Sequence, residues 1–268
     1  MVQTDVLTLA DRQIEYRLLP ARRAGAGDLV MLHEGLGSAS MWGDLPDRLS
    51  EATGCRTLVY SRHGYGRSSP LSAPRTSDYM HEEARVWLPA LLDAHHITEP
   101  ILFGHSDGAS IALIYASESE RAVKGVIALA PHVMVEDITI TGIERARAQF
   151  RESDLRARLA RHHADVDGAF WGWNRAWLDP AFRAWNIEQL LPSIVAPVLV
   201  VQGTDDEYGT VEQVDRMRRA LPNVKYLEIG DCGHSPHRHH SDAVIRATRQ
   251  FIQSLDGTSA SATTPAER

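Results

Sequence analysis

The sequence predicts an α/β protein built on a mostly parallel, doubly wound sheet that carries an inserted helical lid. Two observations predict the sheet. Short, continuous apolar runs recur at residues 29–32, 57–60, 101–103, 126–129, 198–201 and 224–229, as expected of strands buried on both faces. Helical patterns separate them, so strand and helix alternate. A third observation predicts the lid: residues 132–192 break the alternation with about 60 residues, far more than a crossover connection needs.

The elements follow in order. Residues 6–9 and 13–19 read as a strand pair joined by the polar turn Asp11-Arg12. Residues 42–49 read as a helix. Residues 78–95 form another, with Val86, Leu88, Leu91 and Leu92 at helical spacing. Residues 109–116, 211–221 and 243–255 complete the body. Within the insertion, 143–150 and 155–163 are helical, and Phe170, Trp171, Trp173, Trp177, Phe182 and Trp185 crowd one stretch. Its other reading is a set of extra helices packed on the rim of the body. The resulting division is a core of 1–131 and 193–255, a lid of 132–192, and a small, polar tail of 256–268 expected to be disordered.

A chain of 268 residues accommodates one large domain, or one domain with an inserted subdomain. Hydrophobic residues at 43% and charged residues at 24% are ordinary for a globular protein. The formal charge of −7, with no basic block, argues against a nucleic-acid partner. No apolar run approaches the ~18 residues of a membrane span. The start, Met1-Val2-Gln3-Thr4-Asp5, has no basic segment followed by an apolar one, so no signal peptide is expected. Cys55 and Cys232 are too few and too far apart for a disulfide framework, and read as free thiols in a reducing cytoplasm.

Gly104-His105-Ser106-Asp107-Gly108 fits the pattern G-x-S-x-G. The pentapeptide alone is a weak signal. Its context strengthens it, because it follows the buried run at 101–103 and opens a helix of small residues. A nucleophile on so tight a turn leaves no room for neighbouring side chains, which explains Gly104 and Gly108. The turn also sets Ser106 at a helix N-terminus, where backbone N–H groups stabilise a developing oxyanion. The competing reading is a helix cap with a structural purpose only.

A serine hydroxyl needs a base, and the base needs an orienting carboxylate. After the run at 198–201 come Asp205, Asp206 and Glu207, at the strand end where the active edge of such a sheet lies. After the last strand comes His234, in a glycine-flanked loop. His237, His239 and His240 crowd the same region and read as exposed residues at a helix start. A metal site is the rival reading, but no Cys or Glu accompanies them at ligand spacing.

Taken together, these segments resemble the α/β-hydrolase family over roughly residues 5–255. His33-Glu34-Gly35-Leu36-Gly37 resembles its oxyanion loop. Asp44-Leu45-Pro46 begins the helix that commonly follows. The run from Ser61 to Ser68 resembles R-G-x-G-x-S. Gly203-Thr204-Asp205-Asp206 is similar to the acid loop, and Gly233-His234 to the terminal histidine motif. The resemblance implies a triad of Ser106, Asp206 and His234, with Asp205 the fallback acid. It implies an oxyanion hole from the N–H groups of Gly35 and Asp107. Glu34 departs from the family pattern, which has glycine there; a carboxylate so placed either orients a loop or meets a cationic substrate group. A lid implies a large apolar pocket, with Glu34, His105, Trp171, Trp173, Trp177 and His237 as candidate lining residues.

The expected reaction is hydrolysis of a small-molecule carboxylic ester or lactone through an acyl-enzyme on Ser106, with a macrolide-type lactone as one candidate substrate. No metal or other cofactor is required. Cleavage of a carbon–carbon bond and aminopeptidase action on the same triad are alternatives. A ligand-binding receptor on a hydrolase scaffold is the non-enzymatic one. A monomer or homodimer is expected.

Overall fold

The computed structural model describes residues 4–221 and 224–259. Strands β1 (Asp5–Leu9) and β2 (Arg12–Leu19) form an antiparallel hairpin. Its turn is Ala10-Asp11, one residue earlier than expected, because Arg12 already pairs with Leu9. Strands β3 (Asp28–Leu32), β4 (Arg56–Tyr60), β5 (Pro100–His105), β6 (Gly125–Leu129), β7 (Val198–Gly203) and β8 (Lys225–Ile229) run parallel to one another. The eight strands make one sheet in the order β1-β2-β4-β3-β5-β6-β7-β8.

Side chains alternate across the sheet with the period of two that a strand imposes. Val30, Leu32, Leu102, Val126 and Val200 join one apolar cluster, and Leu29, Met31, Phe103, Ile127 and Val201 join the other. Helices α1 (Leu45–Thr53) and α10 (Ser241–Ser259) cover the second face. On the first face lie the helical run α2 (Tyr79–Glu82) to α3 (Leu88–Ala94), helix α4 (Asp107–Glu118) and helix α8 (Val211–Ala220). A π-helical turn, Glu83–Trp87, joins α2 to α3. Pro89 follows it and supplies no N–H, so the helix cannot continue its regular bonding there.

The expected helix at 42–49 is divided: a 3-10 turn, Ala39–Trp42, precedes α1. The tail boundary also moves. Helix α10 runs to Ser259, one turn past Leu255, since a helix propagates beyond its last buried residue on its own backbone bonds. The rest of the expected tail, 260–268, lies outside the described residues.

Between β6 and β7 come helices α5 (Asp137–Glu152), α6 (Leu155–Leu159) and α7 (Val166–Trp177), then two 3-10 turns. The two ends of this segment are tied together, Met134 bridging to Asn186 and Ile187 N–H donating to Val133 O at 2.8 Å. Helix α6 stops short of the expected 163. There the chain is held by His163, whose ring bonds Gly66 N–H and Leu36 O, each at 3.0 Å.

No helix among the described residues is long and apolar enough to cross a membrane. Cys55 and Cys232 are both buried and unbridged.

Candidate active site

Three loops at the C-terminal edge of the sheet converge. The first follows β5. Ser106 has φ +52° and ψ −119°, a conformation that costs a non-glycine residue roughly 1–3 kcal/mol. Its N–H donates to Leu129 O at 2.9 Å, which anchors the strained turn to β6. A Cβ on Gly104 would lie 2.3 Å from Gly108 O, and one on Gly108 would lie 2.1 Å from Leu32 O, so only glycine admits this approach of helix α4 to the sheet.

The second loop follows β7 and the third follows β8. The Ser106 hydroxyl donates to His234 Nε2 at 2.9 Å. His234 Nδ1–H donates to Asp206, with both carboxylate oxygens at 2.9 Å. Asp206 accepts further bonds from Gln202 Nε2 (2.7 Å), Tyr208 N–H (2.8 Å) and Gly209 N–H (3.2 Å). Burial disfavours the charge on Asp206, but the His234 cation and these donors win and hold its pKa down to about 2. Burial likewise opposes a charge on His234, yet the Asp206 carboxylate raises its pKa above the ordinary histidine value. Asp205 is exposed and meets no histidine; its N–H donates to Cys232 O. Glu207 accepts the backbone N–H of His234 at 3.0 Å.

A family model described as "Alpha/beta hydrolase family" matches residues 29–247. The chain belongs to the α/β-hydrolase family. Among curated relatives, it is 25% identical over 281 residues to a proline iminopeptidase of Lactobacillus crispatus, covering 90% of this chain and 94% of that one. It is 28% identical to the esterase YbfF of Escherichia coli, covering 60% of this chain and 70% of the relative. It is 23% identical to a 2-hydroxy-6-oxononadienedioate/2-hydroxy-6-oxononatrienedioate hydrolase of Dechloromonas aromatica, covering 85% of this chain and 88% of the relative.

In this hydrolase the loop after β3 packs against the elbow. His33 Nδ1–H donates to Glu34 O at 2.7 Å, and His33 Nε2 accepts from Arg62 N–H at 3.0 Å, which fixes a neutral tautomer. Burial pushes His33 well below its usual pKa, in agreement. Arg62 is fully buried; its guanidinium donates to Glu34 O at 2.9 Å and lies 3.7 Å from Asp107. Tyr79 and Trp177 donate to the same Asp107 carboxylate. Its backbone stays at the N-terminus of α4 beside the cavity.

The hydrolase cavity next to Ser106 has a volume of about 230 Å³. Glu34, Gly35, His105, Asp107, Trp173 and Trp177 line it with Ser106 and His234. Two expected residues do not. Trp171 sits on the outer side of α7 among Arg147, Arg151 and Arg175. Trp173 and Trp177 are four residues apart and share a helix face, whereas Trp171 is rotated roughly 200° from Trp173. His237 is neither exposed nor in the cavity. It lies on helix α9 (Pro236–His239) and is buried behind the site, its ring centroid 5.0 Å from Trp42 and 4.6 Å from His105. His239 is exposed. Among the described residues no three His, Cys, Asp or Glu side chains converge as a metal ion would need.

Sequence reasoning missed His132, Thr139, Ile143 and Tyr208, which also line the cavity. The position of His132 just beyond the run at 126–129, at the same sheet edge as Ser106, is the signal that could have found it. Burial pushes the His132 imidazole down to about 3, and the neighbouring His234 adds to this, so it is neutral at physiological pH.

Proposed function

We propose that this hydrolase cleaves small, uncharged or cationic carboxylic esters through an acyl-enzyme on Ser106. One observation carries the reading: the unbroken relay from the Ser106 hydroxyl to His234 Nε2, and from His234 Nδ1–H to Asp206, each step at 2.9 Å. Ser106 attacks the ester carbonyl while His234 takes its proton. Asp206 holds the tautomer and stabilises the cation. The N–H groups of Asp107 and Gly35 receive the oxyanion. His234 then protonates the leaving alcohol, and water repeats the cycle on the acyl-enzyme.

Size and charge narrow the substrate. A cavity of about 230 Å³ lies below the ~300–1,000 Å³ common for ligand sites, which favours a short acyl group over a macrolide ring. Glu34 and Glu207 are among the residues that line the cavity, which include no Lys or Arg. Such a site repels anions, which weighs against a dicarboxylate such as the one in the name of the Dechloromonas relative. The segment 132–192 serves as a lid, with Trp173 and Trp177 closing the roof of the acyl pocket.

A second reading, aminopeptidase action as named for the Lactobacillus relative, draws on the same two glutamates, which suit a substrate ammonium group. A panel decides between them: p-nitrophenyl acetate, butyrate and palmitate, proline p-nitroanilide, and a dicarboxylate vinylogous diketone. The expected result is turnover highest for the short esters. Preference for the anilide would establish the second reading. Failure of a fluorophosphonate to label Ser106 in folded protein would refute both and favour a ligand-binding receptor.

A further inference from the structure

Beside the base, a second carboxylate–histidine pair has no part in the mechanism above. His105, 1% exposed, is the residue before the nucleophile. Its Nε2 lies 2.7 Å from the backbone carbonyl of His234. A carbonyl only accepts, so Nε2 carries a proton and donates it. The other ring nitrogen, Nδ1, lies 3.5 Å from Glu34 Oε2, an ion-pair distance. Glu34 Oε1 in turn accepts from Arg238 at 3.0 Å. Arg238 belongs to α9, directly beyond the His234 loop.

We infer that Glu34 and His105 act as positioning residues for the catalytic base: His105 grips the main chain of His234, Glu34 orients His105, and Arg238 closes the loop back onto Glu34. This rests on the reading of Ser106, His234 and Asp206 as a triad. The arrangement ties together the oxyanion loop, the elbow and the histidine loop, three segments that meet only at the site.

Chemistry supports the division of labour. With Nε2 committed to the carbonyl of His234, Nδ1 is the ring edge that faces the Glu34 carboxylate at 3.5 Å. The ring is thus held on both edges, by a hydrogen bond at Nε2 and by the carboxylate beside Nδ1. The other groups packed on His105 are the rings of His234 (5.0 Å), His237 (4.6 Å) and Trp42 (6.5 Å). Neither nitrogen of His237 has a hydrogen-bond partner among the described residues, and burial holds its pKa well below the usual histidine value, so it contributes no competing charge. Glu34 thus supplies an anion for His105 that glycine at this position would not, and Arg238 shares its charge.

Two substitutions at one position separate the positioning role from mere packing. The amide nitrogen of His105→Gln can occupy the place of Nε2 and keep the bond to His234 O, whereas His105→Leu fills space without a donor. A misplacement of about 1 Å in a catalytic group costs on the order of a hundredfold in rate. His105→Leu is therefore expected to lose roughly ten- to a hundredfold in kcat on a short p-nitrophenyl ester, with KM within about twofold, and His105→Gln to recover most of it. Glu34→Gln, which is nearly isosteric, is expected to lower kcat and to move the acid limb of the kcat/KM profile to lower pH, because the Glu34 charge favours the His234 cation. Melting temperatures of the variants establish that each is folded. Equal kcat in wild type and His105→Leu, equal loss in Leu and Gln, or an unmoved acid limb in Glu34→Gln would overturn the inference. A wild type that fails to label at Ser106 would instead remove the triad reading on which it rests.

Discussion

Trp177 donates its indole N–H to the carboxylate of Asp107 at 3.2 Å. One residue belongs to the helical segment between β6 and β7 and the other follows Ser106, so that segment is bonded directly to the turn after β5. Tyr79 donates to the same carboxylate at 2.5 Å and Arg62 pairs with it, so three neighbouring groups oppose its charge. Trp177→Phe keeps most of the apolar contact and removes the donor. It is expected to cost about 1–3 kcal/mol of stability, read from urea unfolding midpoints, since a buried carboxylate loses a partner. An unchanged midpoint would show that Tyr79 and Arg62 suffice.

Asp206 and Asp205 are adjacent in sequence but meet different surroundings, one buried against His234 and the other exposed. Asp206→Asn is expected to lower kcat by about 10⁴-fold, because the amide favours the wrong tautomer of His234. Asp205→Asn should stay within about threefold of wild type. Steady-state rates on one ester measure both, and the reverse ranking would move the acid to Asp205.

A Cβ on Gly35 would lie 2.1 Å from Trp173 Nε1, so the indole packs against bare backbone. Gly35→Ala is expected to displace the loop or the indole and to cost on the order of 10² in kcat if the Gly35 N–H binds the oxyanion. Adding Trp173→Phe removes the nitrogen-bearing ring from the clash and should restore part of the rate. A double variant no faster than Gly35→Ala would place the damage elsewhere.

Histidines whose pKa burial lowers set the acid limit of stability, His33, His132 and His237 most strongly among them. His132 titrates at about 3 in the folded protein, and His33 and His237 well below their ordinary value. The unfolded chain takes up these protons near pH 6.5 and the folded one does not, so stability falls as pH drops below about 6.5. Each such group contributes up to about 1.4 kcal/mol per pH unit. His234 works in the opposite sense: its raised value adds stability below about pH 6.5 that is lost as pH rises through the folded-state pKa. Asp206 adds stability above about pH 3.9, lost only as pH falls towards about 2. Three groups outweigh one, so urea midpoints should decline from pH 7.5 to 5, and His132→Gln should make the decline shallower. A flat profile would contradict neutral burial of these rings.

The sequence by itself determined the sheet and the elbow, because each is written in a local rule. Runs such as 126–129 announce a doubly buried strand, and Gly104 and Gly108 announce a turn that no larger residue survives. Resemblance to the family's acid loop is what pointed to Asp206 as the candidate acid, since composition alone leaves Asp205, Asp206 and Glu207 open. The tertiary structure decided what depends on convergence. Glu34 meets His105 and Arg238, residues far along the chain that no periodicity connects. His237 turned inward because Trp42 and His105 wait there, and Trp171 turned outward because a helix gives neighbouring positions different directions. His132 and Tyr208 entered the cavity from two separate loops. Cavity volume and its charge are sums over all of these contacts, and only the folded chain brings those contacts together.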